Sequence, residues 1–467
     1  MSDARKLDQT ILREYDIRGV VEETLNAEEV RMIGHAFGSM VIDQMNSKLV
    51  PSVAVSYDGR LSSLEFSNSV CVGLEAAGVD VTNIGCGPTP MLYYATHELS
   101  SDAGMMITGS HNPPNFNGIK MVLSGKPFFG VDIQRLGRKI EVEDFHHGRG
   151  STKTYNVKLH YIKRLLQDFS GARELSVAWD PGNGSSGEIV KELIKSLPGK
   201  HFLINEKIDG NFPAHHPDPT VESNLVQLKQ IVIEKSCDLG IGFDGDGDRI
   251  GVIDSKGRIL WGDQLMIFFA RDVLKDNPGA PIITEVKASR VFFDEVTKAG
   301  GIPVMWATGH SLIKSKMSEL NSPLAGEMSG HIFFADKYFG YDDAIYAAIR
   351  LLTILSHSKQ SLSELHDDLP KMLNTPELRV DCPEERKFGV IKEIKNRLVG
   401  EDGVEVFDID GVRVASKEGW WLIRASNTQA VLVARCESAS ESGLLFLKKQ
   451  IRNQLTASAI EVPFDLI

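Results

Sequence analysis

No stretch of this chain approaches the roughly 18 to 20 consecutive apolar residues that a membrane-crossing helix needs. Its opening residues, Met1–Thr10 (MSDARKLDQT), carry no apolar signal-peptide core. A cytosolic protein with no membrane partner is therefore expected. Cysteine is scarce: Cys71, Cys86, Cys237, Cys382 and Cys436 lie far apart, with no C-x-x-C pair. That excludes a disulfide framework and a cysteine-built zinc site, and leaves buried free thiols. A lysine- or arginine-rich stripe is also missing, and 51 basic against 63 acidic residues give a formal net charge of −12. Nucleic acid is thereby excluded as a partner, because binding its backbone needs such a stripe. A small phosphate ligand is not excluded, but it must be met by local cations or helix N-termini against the overall field. There is no short-period repeat and no low-complexity tract.

What is present is ordinary in bulk, at 42% apolar and 24% charged residues. A length of 467 residues is too great for one hydrophobic core. A pattern of short apolar strand, polar Gly/Pro-rich turn and amphipathic helix recurs. Strands are expected at 51–58, 79–84 and 103–108, with helices at 61–78 and 88–99. The pattern restarts at a helix over 157–170. Strands at 175–180, 201–205 and 238–243 follow, alternating with helices at 186–197 and 222–236. A third start near 260 brings strands at 281–286 and 302–306 and helices at 289–299, 310–320 and 341–357. Such alternation predicts α/β layers with largely parallel sheets. After about residue 370 the texture becomes α+β: a strand at 377–382, a helix at 384–398, hairpin strands over 403–435 and a last helix at 440–456. The expected fold is α/β, with three mixed α/β domains (1–153, 154–258, 259–370) and a C-terminal α+β domain (371–467).

Four loops at apparent strand ends carry the chemistry. Residues 104–121 read GMMITGSHNPPNFNGIKM, and Ser110 in this turn has two readings. It either closes a hydrogen bond to its own backbone, or it is held out, exposed, because it reacts. Residues 238–253 (DLGIGFDGDGDRIGVI) place Asp244, Asp246 and Asp248 at alternate positions between glycines. Three converging carboxylates repel one another unless a cation sits among them, and hard oxygen ligands suit Mg²⁺. An EF-hand loop fails here, since its sixth and twelfth places hold Arg249 and Ser255. Residues 324–334 (LAGEMSGHIFF) offer Glu327, Ser329 and His331, which point the same way if the segment is extended. A carboxylate beside a hydroxyl suits vicinal sugar hydroxyls, and a histidine can move a proton. Residues 420–437 (WWLIRASNTQAVLVARCE) supply Arg424, Ser426, Asn427 and Thr428, a set suited to cradling phosphate or equally to an ordinary turn. Together the loops describe a phosphosugar enzyme in which Ser110 carries a phosphoryl group. Serine-hydrolase chemistry fits worse, since no G-x-S-x-G elbow surrounds Ser110.

TGSHNPPNFNGIK, DGDGDR, GEMSGH and RASNT, in that order and spacing, resemble the α-D-phosphohexomutase superfamily. GEMSGH is similar to the bacterial phosphomannomutase/phosphoglucomutase branch. YDIRG (15–19), DGR (58–60), VKASR (286–290) and TGHSLIKSKM (308–317) support the likeness. The resemblance implies four domains around a central cleft and an enzyme that interconverts hexose 1-phosphate and hexose 6-phosphate. It implies a phosphoserine at Ser110 and Mg²⁺ on Asp244, Asp246, Asp248 and a phosphate oxygen borne by Ser110. A hexose 1,6-bisphosphate serves as intermediate and activator. Lys120 and His331 are implied for proton transfer, and Glu327 and Ser329 for the sugar hydroxyls. Arg424, Ser426, Asn427 and Thr428 are implied for the non-reacting phosphate. Tyr15, Arg18, His111, Arg249, Lys287 and His310 add substrate contacts, charge or hydrogen bonds. The expected partners are small phosphosugars, and a monomer is expected.

Two departures stand out. Gln429-Ala430 replaces an ending that usually contains proline, and Ala307 stands where relatives often carry lysine. Two other readings compete with the mutase. One is a phosphatase or phosphotransferase with Asp244 as nucleophile and Asp246 as acid/base, which leaves the Ser110 and GEMSGH loops without purpose. The other is a non-catalytic phosphosugar sensor on the same fold.

Overall fold

The computed structural model describes residues 7–45, 50–426 and 429–462. Among them the strands form four separate sheets in chain order. The first runs Ile17–Val20, Phe116–Leu123, Ala103–Ile107, Ser52–Tyr57, Asp80–Cys86, Thr152–Thr154, with Lys126–Phe128 paired outside this path. The second and third have five and four strands, and the fourth, of six, is an antiparallel meander. The mixed α/β architecture with an α+β C-terminal unit is thus as expected.

The largely parallel pairing expected from the sequence needs correction. Each of the first three sheets has a parallel interior, such as Ser52–Tyr57 between Asp80–Cys86 and Ala103–Ile107. Each then adds antiparallel strands: Phe116–Leu123 on Ala103–Ile107, Ile250–Asp254 on Leu239–Phe243, and Ile332–Phe334 on Leu324–Gly326. An antiparallel neighbour needs only a short reversal, whereas a parallel one needs a crossover helix. Those reversals are the loops that carry the chemistry.

Helices form where the sequence offers caps and an apolar face. Asn26 and Glu29 make a reciprocal capping box at the start of Ala27–Gln44, and Ser289 caps Arg290–Lys298 through the Val291 N–H. One continuous apolar core joins residues such as Tyr93, Trp179, Phe269 and Leu351, drawn from the first three α/β layers. The C-terminal unit has its own core, including Val390, Trp421 and Ile451. A small cluster of Val286, Trp420 and Leu422 attaches it to the third layer. Among the described residues, no helix is long and apolar enough to cross a membrane.

Candidate active site

Residues 108–115, 244–249 and 327–331 each close a strand onto its antiparallel neighbour, and in the C-terminal unit Gly419–Ala425 pairs antiparallel with Val431–Ser438. The first of these reversals holds Ser110 at a left-handed φ of +47°. Thr108 Oγ1 accepts its N–H at 2.8 Å. Its Oγ donates to Asp244 Oδ2 at 2.8 Å and lies 3.2 Å from His111 Nδ1. The exposed hydroxyl expected from the sequence is not found, for Ser110 is only 3% exposed. The acidic loop lies directly on it. A Cβ added to Gly245 would stand 2.4 Å from the Ser110 carbonyl oxygen, so the close approach requires glycine there.

Asp244, Asp246 and Asp248 are fully buried, with oxygens within 4.8 Å of one another. Asp244 Oδ1 accepts the N–H groups of Asp248 and Arg249 at 3.0 and 3.1 Å. Thr89 and Thr108 donate their hydroxyls to Asp246 Oδ2 at 2.6 and 3.1 Å. Lys120, on the strand returning from the Ser110 loop, places Nζ 2.7 Å from Asp246 and 2.5 Å from Asp248. Burial, then the charges of Asp248 and Asp246, pushes the Asp244 carboxyl well above the usual range. Burial acts on Asp246 in the same sense, but the Lys120 ammonium overrides it and holds that carboxyl low. Burial opposes the charge of Lys120, and the two carboxylates win, raising it well above an ordinary lysine.

Oδ1 of Asp246 and Oδ1 of Asp248 are buried with no hydrogen-bond partner among the described residues. Bare oxygens on crowded carboxylates are a donor set that fits a hard divalent cation. The trio could hold a metal ion.

His331 connects this centre to the sugar loop. Arg249 Nε donates to its Nε2 at 3.0 Å, which leaves Nδ1 as the protonated nitrogen. That atom faces Asp342 Oδ2 at 3.1 Å and Asp248 Oδ1 at 3.6 Å. Asp342 also takes Lys314 at 2.9 Å and lies 3.6 Å from His310 Nδ1. His310 stacks on His331 at 5.4 Å between ring centroids. The 327–331 segment is not the extended run expected. The Gly330 N–H donates to Glu327 O and the Glu327 N–H to His331 O, which makes it a tight turn. Glu327, Ser329 and His331 therefore do not share a face by alternation. Glu327 is buried, its carboxyl raised by that burial, and its Oε1 accepts the Gly309 N–H at 2.8 Å. Ser329 is half-buried.

The remaining expected groups converge from other elements. Arg18 donates to Gly109 O and to Asn112 Oδ1 and pairs with Asp16, so it braces the Ser110 loop. Tyr15 donates to Thr308 O at 2.8 Å. Lys287 pairs with Glu377 at 3.3 Å, and Arg424 with Asp410 at 2.9 Å. Burial, then the Arg249 and Arg18 charges, holds His111 well below an ordinary imidazole, and burial with Lys314 does the same for His310. Ser426 is buried, its backbone oxygen accepting Lys387 Nζ at 2.6 Å. Asn427 and Thr428 lie outside the described residues.

Four profiles described as phosphoglucomutase/phosphomannomutase match the chain end to end. Alpha/beta/alpha domain I covers residues 9–147, domain II 159–257, domain III 261–373, and the C-terminal domain 377–454. The chain belongs to the phosphoglucomutase/phosphomannomutase family. It is 43% identical to the phosphomannomutase/phosphoglucomutase of Pseudomonas aeruginosa over 99% of both chains. It is 38% identical to the phosphoglucomutase of Neisseria gonorrhoeae over 97% of both. The crystal structure of a phosphoglucomutase/phosphomannomutase family protein from Burkholderia thailandensis superposes with a TM-score of 0.92. That protein is 40% identical, and the match covers 98% of this chain and 100% of that one.

In this family member, sequence reasoning missed several groups that shape the site. Asp342 faces both stacked histidines, yet in FGYDDA it carries only the signal of a helix N-terminus. Thr89 and Thr108 orient Asp246 from helix and strand ends far away in sequence. Asp410, in a hairpin turn, accepts both the Thr308 N–H and Arg424. No local pattern marks any of these.

Proposed function

We propose that this chain is a phosphohexomutase that interconverts hexose 1-phosphate and hexose 6-phosphate, of glucose, mannose or both, through a phosphoserine at Ser110. The single observation that carries this reading is Ser110 Oγ 2.8 Å from Asp244 inside a buried carboxylate trio. A phosphate at that hydroxyl would meet three carboxylates, and only a strong cation makes the arrangement stable. Mg²⁺ held by Asp244, Asp246, Asp248 and a phosphate oxygen would supply that charge.

The free hydroxyl of the sugar attacks the phosphorus, the bond from phosphorus to Ser110 Oγ breaks, and a hexose 1,6-bisphosphate results. The sugar hydroxyl loses its proton to a base, and Ser110 Oγ regains one from an acid. Lys120, lodged between Asp246 and Asp248 on the strand returning from the Ser110 loop, is the acid we assign. His331 suits the base, but its Nε2 is engaged by Arg249. Arg249 turning to an arriving phosphate releases that nitrogen, so the base is armed by substrate. The intermediate then turns around and returns its other phosphate to Ser110. Glu327 and Ser329 grip the sugar hydroxyls. Arg424, Lys287 and Arg18 neutralise the phosphates, while Ser426, Asn427, Thr428, Tyr15 and the uncharged His111 and His310 hold them by hydrogen bonds. Positioning and charge neutralisation dominate such transfers.

We place the four functional units at 1–153, 154–258, 259–370 and 371–467, acting as a cytosolic monomer on small phosphosugars. The test is an assay of glucose 1-phosphate and mannose 1-phosphate with Mg²⁺ and glucose 1,6-bisphosphate, with intact mass recorded beforehand. Turnover, and an acid-stable phosphate that disappears in Ser110→Ala, are expected. Turnover without phosphate on Ser110 overturns the mechanism. An acid-labile phosphate indicates the aspartyl nucleophile instead.

A further inference from the structure

The DGR stretch at 58–60 lies against the Ser110 loop. Arg60 is 3% exposed and uses every N–H of its guanidinium. Nη2 donates to the carbonyls of Ser110 and Asn112 at 2.7 and 2.6 Å. Nη1 donates to those of Pro113 and Phe116 at 2.6 and 2.9 Å. Nε pairs with Asp58 at 3.2 Å. Asp58 in turn accepts the Gly109 N–H, the Arg60 N–H and the Ser63 hydroxyl at 3.1, 3.0 and 2.6 Å. A Cβ on Gly109 would stand 2.2 Å from Arg60 Cζ, so the loop closes on the guanidinium itself. Phe212, from the second layer, covers it at 5.2 Å from Cζ to the ring centroid.

We propose that Arg60 is the positioning residue of the Ser110 loop: its planar fork fixes the carbonyls of residues 110–116 and so aims Ser110 Oγ at the acidic trio. This rests on the mutase reading only for its kinetic test. Four carbonyls turned inward on one buried cation form a loop that is templated rather than self-sustaining. Ser110 also sits in a left-handed conformation that a non-glycine residue keeps only when its surroundings over-determine it. Lysine cannot replace the fork, because one ammonium cannot reach carbonyls spread around a plane.

The test compares wild type, Arg60→Lys and Arg60→Gln by backbone hydrogen exchange, by phosphate uptake on Ser110 from glucose 1,6-bisphosphate, and by steady-state kinetics. Expected are faster exchange confined to residues 109–118, slower uptake, and kcat lowered by about 100-fold with KM changed less than threefold. A merely structural role would lower the fraction of folded protein without altering local exchange or the rate per phosphorylated site. Wild-type exchange over 109–118 with wild-type kcat in Arg60→Lys overturns the proposal, while an inactive wild type overturns the mutase reading and leaves the exchange arm to decide this one. Should neither variant fold, Phe212→Leu removes only the ring over the guanidinium. Faster exchange in the same residues with kcat down several-fold supports the proposal, and no change in either overturns it.

Discussion

At Asp244 and Asp246 two identical side chains, two positions apart, are held in opposite electrostatic conditions. Asp244 accepts a hydroxyl and two backbone N–H groups, but burial and its acidic neighbours disfavour its charge. Asp246 faces Lys120, and its charge is favoured. Amide substitution should therefore split them. In the metal-free protein Asp244→Asn removes a disfavoured charge and keeps the backbone acceptor, so it is expected to stabilise by about 1 kcal/mol. Asp246→Asn strips Lys120 of a partner and is expected to destabilise by about 2 kcal/mol or more. Both should lose most of the rise in melting temperature that added Mg²⁺ gives the wild type. Thermal melts with and without Mg²⁺ check all of these, and an unchanged magnesium titration in Asp246→Asn refutes the cage. Ser110, by contrast, was legible in the sequence as a chemical group but not in its exposure. A turn rich in Gly, Pro and Asn looks like surface, and what buries it is a loop from another layer.

Elements show the same division. The helix expected at 341–357 begins at Ala344, and Asp343 caps it by accepting the Tyr346 N–H at 2.8 Å. The Tyr161 and Tyr338 hydroxyls donate to the other oxygen of Asp343 at 2.8 and 2.9 Å. Burial still outweighs these donors and raises the carboxyl from 3.8 to about 6. A raised folded-state value means that the neutral form is preferred in the fold. The associated stability is whole below about pH 4 and is lost as pH rises through about 6. A shift of about 2 units corresponds to about 3 kcal/mol at most. Asp343→Asn keeps an acceptor for the cap, so its gain in melting temperature over wild type should grow between pH 4 and pH 7. Equal gains at both pH values would contradict this account of the buried carboxyl. The helix was readable in the sequence, but its expected start at 341 lies before the Asp343 cap, and the tyrosine pair that meets the second oxygen was not readable, because Tyr161 lies 182 residues away.

Across the whole molecule, one apolar core runs through the first three layers, the first layer has a second core on its other side around Phe37, Phe66 and Leu74, and the C-terminal unit keeps its own. Polar latches join that unit to the third layer. Asp410 ties the Thr308 N–H to Arg424, Lys287 pairs with Glu377, and Arg413 donates to the carbonyls of Val286 and Ala288. Breaking one latch should loosen substrate capture more than chemistry. Asp410→Ala is expected to raise KM by about tenfold, equivalent to about 1.4 kcal/mol, with kcat within about threefold. A loss confined to kcat would place Asp410 in the chemical step instead.

The primary structure alone sufficed for the chemical inventory: a serine in a turn, alternating carboxylates, a Glu/Ser/His loop and an Arg/Ser cradle, each at a strand end, in an α/β chain with an α+β tail. Those features depend on short-range spacing and on which side chains can ligate, donate or move a proton. Packing in three dimensions set which of those loops touch, that Ser110 is covered, that 327–331 turns rather than extends, and that Asp342, Thr89, Asp410 and Arg60 hold the others in place. Such contacts join residues tens to hundreds of positions apart, and a hydrogen bond between them depends on how layers pack, which no local pattern encodes.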